Sequence, residues 1–462
     1  MSKASLRGLR IYIKTLLAIA AISTLLLGQH LLYGLPARDL GTYVYDATSA
    51  YHGAHIKDGD LPCRHLPGAD NVTVVMRTGA SEITDKLPAH LNTTFRCYKD
   101  YLIFSDYEEV FQGFPVYDAL STIDDEIKQT NGDFAYYNRL QTNGRESLDP
   151  SELSGQTAWE IGKSGKKENA GWKLDKWKFL PMVKQTLELR PTSDFYLFLE
   201  PDSYVTWSTL LRYLHRVDPT AVVYAGSENK IGPDIFAHGG SAFILSRPAM
   251  QLAADIYQKD SESWHAFTAR HWAGDCILAK ALKDAGVSLD PGWPMFQGRN
   301  PFDMDFNEAK GRYRRVWCSP AISYHHVSTW EIKQLWDFEQ RWLANDPTGP
   351  IHHDDVFRGL VMPEATGERG NWTNLSPNLQ PDTQHLTIQE CRDRCESRFE
   401  CLQYSKGPEG CSLSDEVRIG SAAEGVDSGW FKHRVEVWNQ EHEGCIVRGY
   451  LRPEGLLRDT SG

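Results

Sequence analysis

Relative to its size, this chain is short of positive charge. Lys and Arg total 49 against 61 Asp and Glu in 462 residues, a formal net charge of −12. Binding nucleic acid needs a basic surface that neutralises phosphates. The balance therefore excludes nucleic acid as a partner, and no stretch has the look of a nucleic-acid module. Long hydrophobic runs are scarce too. The run that matters, Thr15 to Leu32, is about 18 residues long, near the lower limit for crossing a bilayer. Lys3, Arg7, Arg10 and Lys14 precede or flank it, so the positive-inside rule keeps the amino end cytoplasmic and the remainder lumenal. The run is longer than the apolar core of a cleaved signal peptide. It reads as an uncleaved signal-anchor over residues 11–33, behind a cytoplasmic tail of residues 1–10. Cysteine is sparse until late: five of the nine fall after residue 390. That clustering suits a disulfide-stapled module in an oxidising compartment, with one thiol left over from the odd count. Four sequons, at Asn71, Asn92, Asn371 and Asn374, agree with a lumenal location.

The length allows two or three domains, and 41% hydrophobic residues are enough for a large core. The stretch with most information runs from Asp194 to Val205. Phe195 to Leu199 are all apolar or aromatic, the pattern of a strand buried on both faces in a parallel sheet. Glu200-Pro201-Asp202 follows, and Pro201 cannot extend a strand ladder. Trp207, Leu210, Leu211 and Leu214 then form an i, i+3, i+4, i+7 stripe, predicting an amphipathic helix. Strand, acidic turn and helix is where open α/β sheets bind ligands. Two carboxylates one residue apart can hold a hard divalent cation, which in turn can hold a diphosphate. The alternative is a solvated acidic loop.

Residues 34–68 lack clear periodicity and read as a stem. A first strand is expected over Val72 to Met76, closed by Arg77, and a second over Tyr101 to Phe104, with Cys63 and Cys97 as plausible disulfide partners. Residues 130–170 are polar and read as a long loop or insertion. A helix opens at Trp172 and carries Trp177, Leu180, Val183 and Leu187 on one side, completing a βα alternation. Ala221 to Tyr224 reads as a further strand. Gly239 and Gly240 precede a short apolar strand, where glycine lets the backbone approach a ligand or makes an ordinary bulge. Ser246 caps the next helix, with Pro248 in its first turn. In isolation Asp275 reads as the N-cap of a helix carrying Ile277, Leu278, Ala281 and Leu282, with Gly286 beyond its end. Cys318 to Val327 gives a strand-like run that ends in His325 and His326.

Taken together, four stretches match one family in order. The chain resembles the fringe-like and core 1 β1,3-galactosyltransferase-like enzymes of glycosyltransferase family 31. The carriers are Phe198-Leu-Glu-Pro-Asp-Ser-Tyr-Val205, His238-Gly-Gly-Ser-Ala-Phe-Ile-Leu-Ser246, Gly274-Asp-Cys-Ile-Leu278 and Ser323-Tyr-His-His-Val327. The resemblance spans residues 70 to 345 and implies a GT-A-type α/β fold over residues 69–345, with a mostly parallel sheet. It also implies a UDP-sugar donor, Mn²⁺ as the divalent metal, and inverting transfer to a glycan or glycoprotein acceptor. Carried over by position, Asp202 is the principal metal ligand, Glu200 lies beside it, and His325 completes the set, with His326 as the alternative. Asp275 matches the general base. Gly239 and Gly240 lie against donor or acceptor sugar, and Arg77 and Lys176 are candidates for the diphosphate. The chain departs from the family in three places: Glu200 where the family has Asp, Pro201 at the middle position, and Gly274 where an acidic residue usually precedes the base. Those departures keep a second reading open, a catalytically inactive domain that binds glycan or protein.

Residues 346–384 are rich in Pro, Gly, Asn and Asp and read as a linker. Thr387 to Glu390 is a capping box that opens a helix with Cys391 and Cys395 on one face. Strands are expected around Cys401 and Cys411. Residues 385–450 resemble a PAN/apple module, whose usual pairing implies Cys391–Cys411 and Cys395–Cys401, ahead of a tail of residues 451–462. The zinc alternative for clustered cysteines suits an oxidising lumen poorly. The whole reads as a single-pass type II Golgi membrane protein with its catalytic part lumenal.

Overall fold

Val72–Arg77, six consecutive buried residues, form strand β1 in the interior of an eight-stranded sheet. The computed structural model describes residues 61–153, 170–310, 314–346, 348–442, 444–445 and 448–450, all of them in one unit. β1 pairs in parallel with β2 (Asp100–Ser105) on one side and with β5 (Phe195–Leu199) on the other. Beyond β2 lies parallel β4 (Phe114–Asp118), with β3 (Glu109–Phe111) antiparallel at the edge. Beyond β5 come antiparallel β10 (Phe243–Ser246), β7 (Tyr224–Gly226) and β11 (Asp290–Pro291), the last parallel to β7. The result is a mixed α/β architecture around a large, mostly parallel sheet.

Both faces of the sheet are covered, which is why the central strands read as unbroken apolar runs. Val74, Met76, Leu197 and Ile244 face helices α1 (Ile83–Leu91) and α3 (Trp207–Leu214). Val75, Leu102, Phe198 and Leu245 face α2 (Phe179–Leu189), α4 (Arg247–Lys259) and α5 (Gly274–Asp284). The α3 stripe of Trp207, Leu210, Leu211 and Leu214 is buried as expected. Ser246 accepts from the Ala249 backbone as the N-cap of α4, and Gly286 has a φ of +82° just past α5, the left-handed stop that favours glycine.

Five expectations are corrected. The helix opening at Trp172 is two helices, Ala170–Asp175 and α2, because the ring of Pro181 obstructs the carbonyl of residue 177. The strand expected at Ala221 begins at Tyr224: the Ser246 hydroxyl accepts from Val223 N at 2.9 Å and donates to Ala221 O at 2.7 Å, replacing ladder partners there. Within the expected loop of residues 130–170, Ala135–Asn143 is a helix burying Tyr136, Tyr137 and Leu140 beside Phe134 and Trp177. Asp275 is not an N-cap; Ala273 holds that position. Finally, the expected linker is structured, and two of its strands, Gly367–Arg369 and Asn378–Leu379, join the carboxyl-terminal sheet. The expected cytoplasmic tail (1–10), signal-anchor (11–33), residues 34–60 of the stem and the tail of residues 451–462 lie outside the described residues, as do residues 154–169. Among the described residues no helix is long and apolar enough to cross a membrane.

The carboxyl-terminal sheet has the order β15 (Gly367–Arg369), β21 (Asp427–Trp430), β18 (Gln403–Gly407), β19 (Gly410–Ser414), β17 (Asn378–Leu379). The helix Ile388–Glu396 packs on it, capped by Thr387 and Glu390. Cys391–Cys411 staples that helix to β19 and Cys395–Cys401 to the segment before β18, and Cys63–Cys97 forms near β1. Cys445, whose partner the sequence did not identify, pairs with Cys318 across 127 residues, leaving buried Cys276 free. Val417, Ile419, Trp430 and Trp438 share one hydrophobic cluster with Tyr204, Trp317 and Phe357. The cysteine-rich part is thus packed against the region of the chain that precedes it. One sequon is also corrected. Asn71, Asn92 and Asn371 are exposed, but Asn374 is buried and its side-chain amide donates to Tyr404 O at 3.0 Å and Gly429 O at 3.3 Å.

Candidate functional site

β5 ends at Leu199, and Pro201 turns the chain into the short strand β6 (Ser203–Val205). β6 pairs antiparallel with β14 (Ser323–His325), placing His325 opposite Ser203. The register is fixed on both flanks: Val327 N donates to Asp202 O at 3.0 Å, and His90 Nε2 lies 3.0 Å from Pro201 O. Two stretches over a hundred residues apart in sequence therefore meet at one point. His325 Nε2 is 3.4 Å from Asp202 Oδ1 and 3.9 Å from Glu200 Oε2. His326 has a φ of +58°, and its ring stacks on that of His325 with centroids 3.7 Å apart.

Asp202, His325 and His326 each offer a ligand atom, all within 4.8 Å of one another, so this group could hold a metal ion. Asp202 Oδ1, His325 Nδ1 and His326 Nδ1 are buried without a hydrogen-bond partner, although buried polar atoms are nearly always paired. One carboxylate and two imidazoles suit a first-row transition ion. Of the expected set of Glu200, Asp202 and His325, the last two belong to this group. Glu200 Oε1 accepts from Arg77 Nη2, and His326, the alternative to His325, joins it.

A turn of 3₁₀ helix, Gly239–Ser241, lies between β9 (Asp234–Ala237) and β10. A Cβ on Gly240 would overlap the His325 ring, so only glycine lets the turn approach so closely. Gly239 N donates to Asp275 Oδ2 at 3.0 Å, and Cys276 N donates to Oδ1 at 2.8 Å. The glycine turn thus touches the histidine cluster with one residue and holds Asp275 with the other. Burial pushes the Asp275 carboxyl up to about 6, against the opposing effect of those hydrogen bonds and of Arg77.

Cations and carboxylates alternate around this centre. Arg77 pairs with both Asp175 and Glu200, and its guanidinium lies 4.2 Å from the centroid of the Phe179 ring. Lys86 Nζ is 2.7 Å from Glu82 Oε2 and 3.5 Å from Asp202 Oδ2. Lys176 pairs with Asp133 at 2.8 Å, and Lys178 donates to Thr78 O at 2.7 Å with Asp106 Oδ2 at 3.5 Å. Arg77 and Lys176, expected to be available to a diphosphate, are each held by carboxylates of the protein. Burial would raise the Asp202 carboxyl, but Lys86 and His325 hold it well below the usual range. Burial would lower His325, and the Asp202 carboxylate raises it instead. Burial, with His325 adding to it, lowers His326 and His238 to about 4.

All of this opens into one cleft of about 570 Å³. Arg77, Lys176, Glu200, Asp202, Gly240, Asp275 and His325 line it, as do His326, Lys86 and His238. Of these, Lys86 carries no signal in the sequence, and His238 stands out only as the opening residue of the glycine stretch. Glu82 and Lys86 look like an ordinary i, i+4 pair on a helix surface, and only the tertiary fold puts Asp202 beside them. No protein-family model and no curated protein matches the chain.

Proposed function

We propose that the protein is an inverting, metal-assisted glycosyltransferase with a GT-A-type domain, moving a hexose from a UDP-sugar to a glycan or glycoprotein acceptor with β1,3 linkage. The observation that carries this reading is the meeting of the Asp202–His325–His326 group and Asp275 in one cleft, joined by the Gly239–Gly240 turn. The UDP-sugar class, the linkage and the Mn²⁺ preference rest on the resemblance to family 31, as does a Golgi type II membrane location.

Asp202, His325 and His326 would hold the dication, which when bound neutralises charge developing on the leaving diphosphate. Asp275 works on the acceptor. Above about pH 6 it is a carboxylate and takes the proton of the acceptor hydroxyl. The acceptor oxygen then forms its bond to the anomeric carbon as the bond from that carbon to the diphosphate oxygen breaks, with inversion. UDP leaves with the electron pair. Gly239 N orients the carboxylate through its 3.0 Å hydrogen bond. Arg77 balances the Glu200 charge, so Asp202, with Lys86 at 3.5 Å, is the carboxylate nearest the histidines.

One observation favours a second reading, a domain that binds ligands without turnover: the Lys86 ammonium already sits 3.5 Å from Asp202, where it offsets the carboxylate without a metal. The cysteine-rich sheet, similar to a PAN/apple module, would position the acceptor under the first reading and the bound glycan or protein under the second. The test is UDP release by the purified full-length protein from a panel of UDP-sugars, with Mn²⁺, with EDTA, and in Asp202→Ala. Release from one donor, abolished by EDTA and by the substitution, supports the transferase. Release indifferent to both would sink the metal site.

A further inference from the structure

Trp272 is 57% exposed, yet it is not loose. Its indole stacks on that of Trp172, with centroids 6.2 Å apart and planes 21° from parallel. The segment carrying it is braced: Ala273 N donates to His271 Nδ1 at 3.1 Å, and the His271 ring stacks on Phe267 at 5.5 Å. Trp172 belongs to the helix Ala170–Asp175, whose Asp175 is the ion partner of Arg77. Both indoles line the cleft described above. A large aromatic held facing water, as Trp272 is beside the half-buried Trp172, forgoes considerable burial free energy, and indole faces suit ligands that are apolar on one side and hydroxylated on the other.

We propose that Trp172 and Trp272 form the acceptor subsite, an aromatic platform for the apolar face of a pyranose ring, and hence that the acceptor is itself a sugar. The word acceptor rests on the transferase reading above; the carbohydrate contact does not. The assignment to acceptor rather than donor follows from chain position. Asp275 must touch the acceptor hydroxyl, and Trp272 lies three residues before it, in the segment that leads into α5. The diphosphate end of the donor goes instead to the Asp202 group, whose carboxylate residue is only 5% exposed.

The experiment titrates the full-length protein, without donor, with the methyl α- and β-glycosides of galactose, glucose, N-acetylglucosamine and N-acetylgalactosamine, reading indole fluorescence. UDP binding with Mn²⁺ is measured in parallel by calorimetry. At least one glycoside is expected to give a saturable change that weakens about tenfold or more in Trp272→Ala and returns in Trp272→Phe. UDP affinity is expected to be unchanged in both variants. The absence of a saturable change with every glycoside overturns the platform, and so does a Trp272→Ala protein that loses UDP binding too. A protein that binds a glycoside but no UDP keeps the platform and removes the transferase reading.

Discussion

Gly240 and His325 touch so closely that the glycine has no room for a Cβ, which would come within 2.2 Å of two atoms of the imidazole ring. The contact places the glycine turn against the histidine pair, with His325 Nε2 3.4 Å from Asp202 Oδ1. The obstructing group is a side-chain ring and not backbone, so the ring can swing aside in Gly240→Ala. The variant is expected to fold with a stability loss of about 1–3 kcal/mol, the usual cost of overpacking, and to bind Mn²⁺ much more weakly. Thermal melting with and without Mn²⁺ measures both. A variant that keeps the full Mn²⁺ shift would show that His325 does not depend on this contact.

Asp275 gives a prediction with a definite sign. Its carboxyl is raised to about 6, and a base works only when deprotonated. Transfer is expected to rise with pH through about 6 and level off above it. Asp275→Asn should lose about 10²–10⁴-fold in transfer while retaining UDP binding. An acid limb that survives the substitution would move the base elsewhere.

Lys86 is buried between Glu82 and Asp202. Replacing it by methionine removes one partner of a buried ion pair, which costs about 3–5 kcal/mol when the other charge is left behind. The melting temperature of Lys86→Met is therefore expected to fall in EDTA. Mn²⁺ should recover more stability than it adds to the wild type, because Asp202 then has no competing cation. Equal Mn²⁺ shifts in the two proteins would contradict a contest between Lys86 and the ion.

Glycosylation separates the four sequons. Asn71, Asn92 and Asn371 are exposed, whereas the Asn374 amide is consumed by two backbone carbonyls. Mass spectrometry of secretory-pathway protein is expected to find glycan at sites among the first three and none at Asn374. Glycan on Asn374 would require the β18–β21 region to be open when it is modified.

Much of the sheet was legible because its central strands are buried on both faces, so Val72 to Met76 and Phe195 to Leu199 appear as unbroken apolar runs. The α3 stripe and the Ser246 cap depend only on neighbours in sequence and were equally readable. The β7 boundary was not, because a single hydroxyl, that of Ser246, satisfies Ala221 and Val223. Ala135–Asn143 escaped because its buried tyrosines sit among polar residues. The site was half legible: Asp202, Asp275 and the His325–His326 pair stand at element ends that the sequence exposes. The engagement of Glu200 by Arg77, and of Asp202 by Lys86, depends on pairings across more than a hundred residues, for which no local pattern exists. The break after Asp175 was readable in retrospect from Pro181.

The most direct measurement is calorimetric titration of UDP into the purified full-length protein, in Mn²⁺ and in EDTA, with Asp202→Ala and His326→Ala alongside the wild type. Binding in Mn²⁺ that disappears in EDTA and in both variants is the result this account predicts. UDP binding of equal strength in EDTA, or no UDP binding in Mn²⁺, would contradict it.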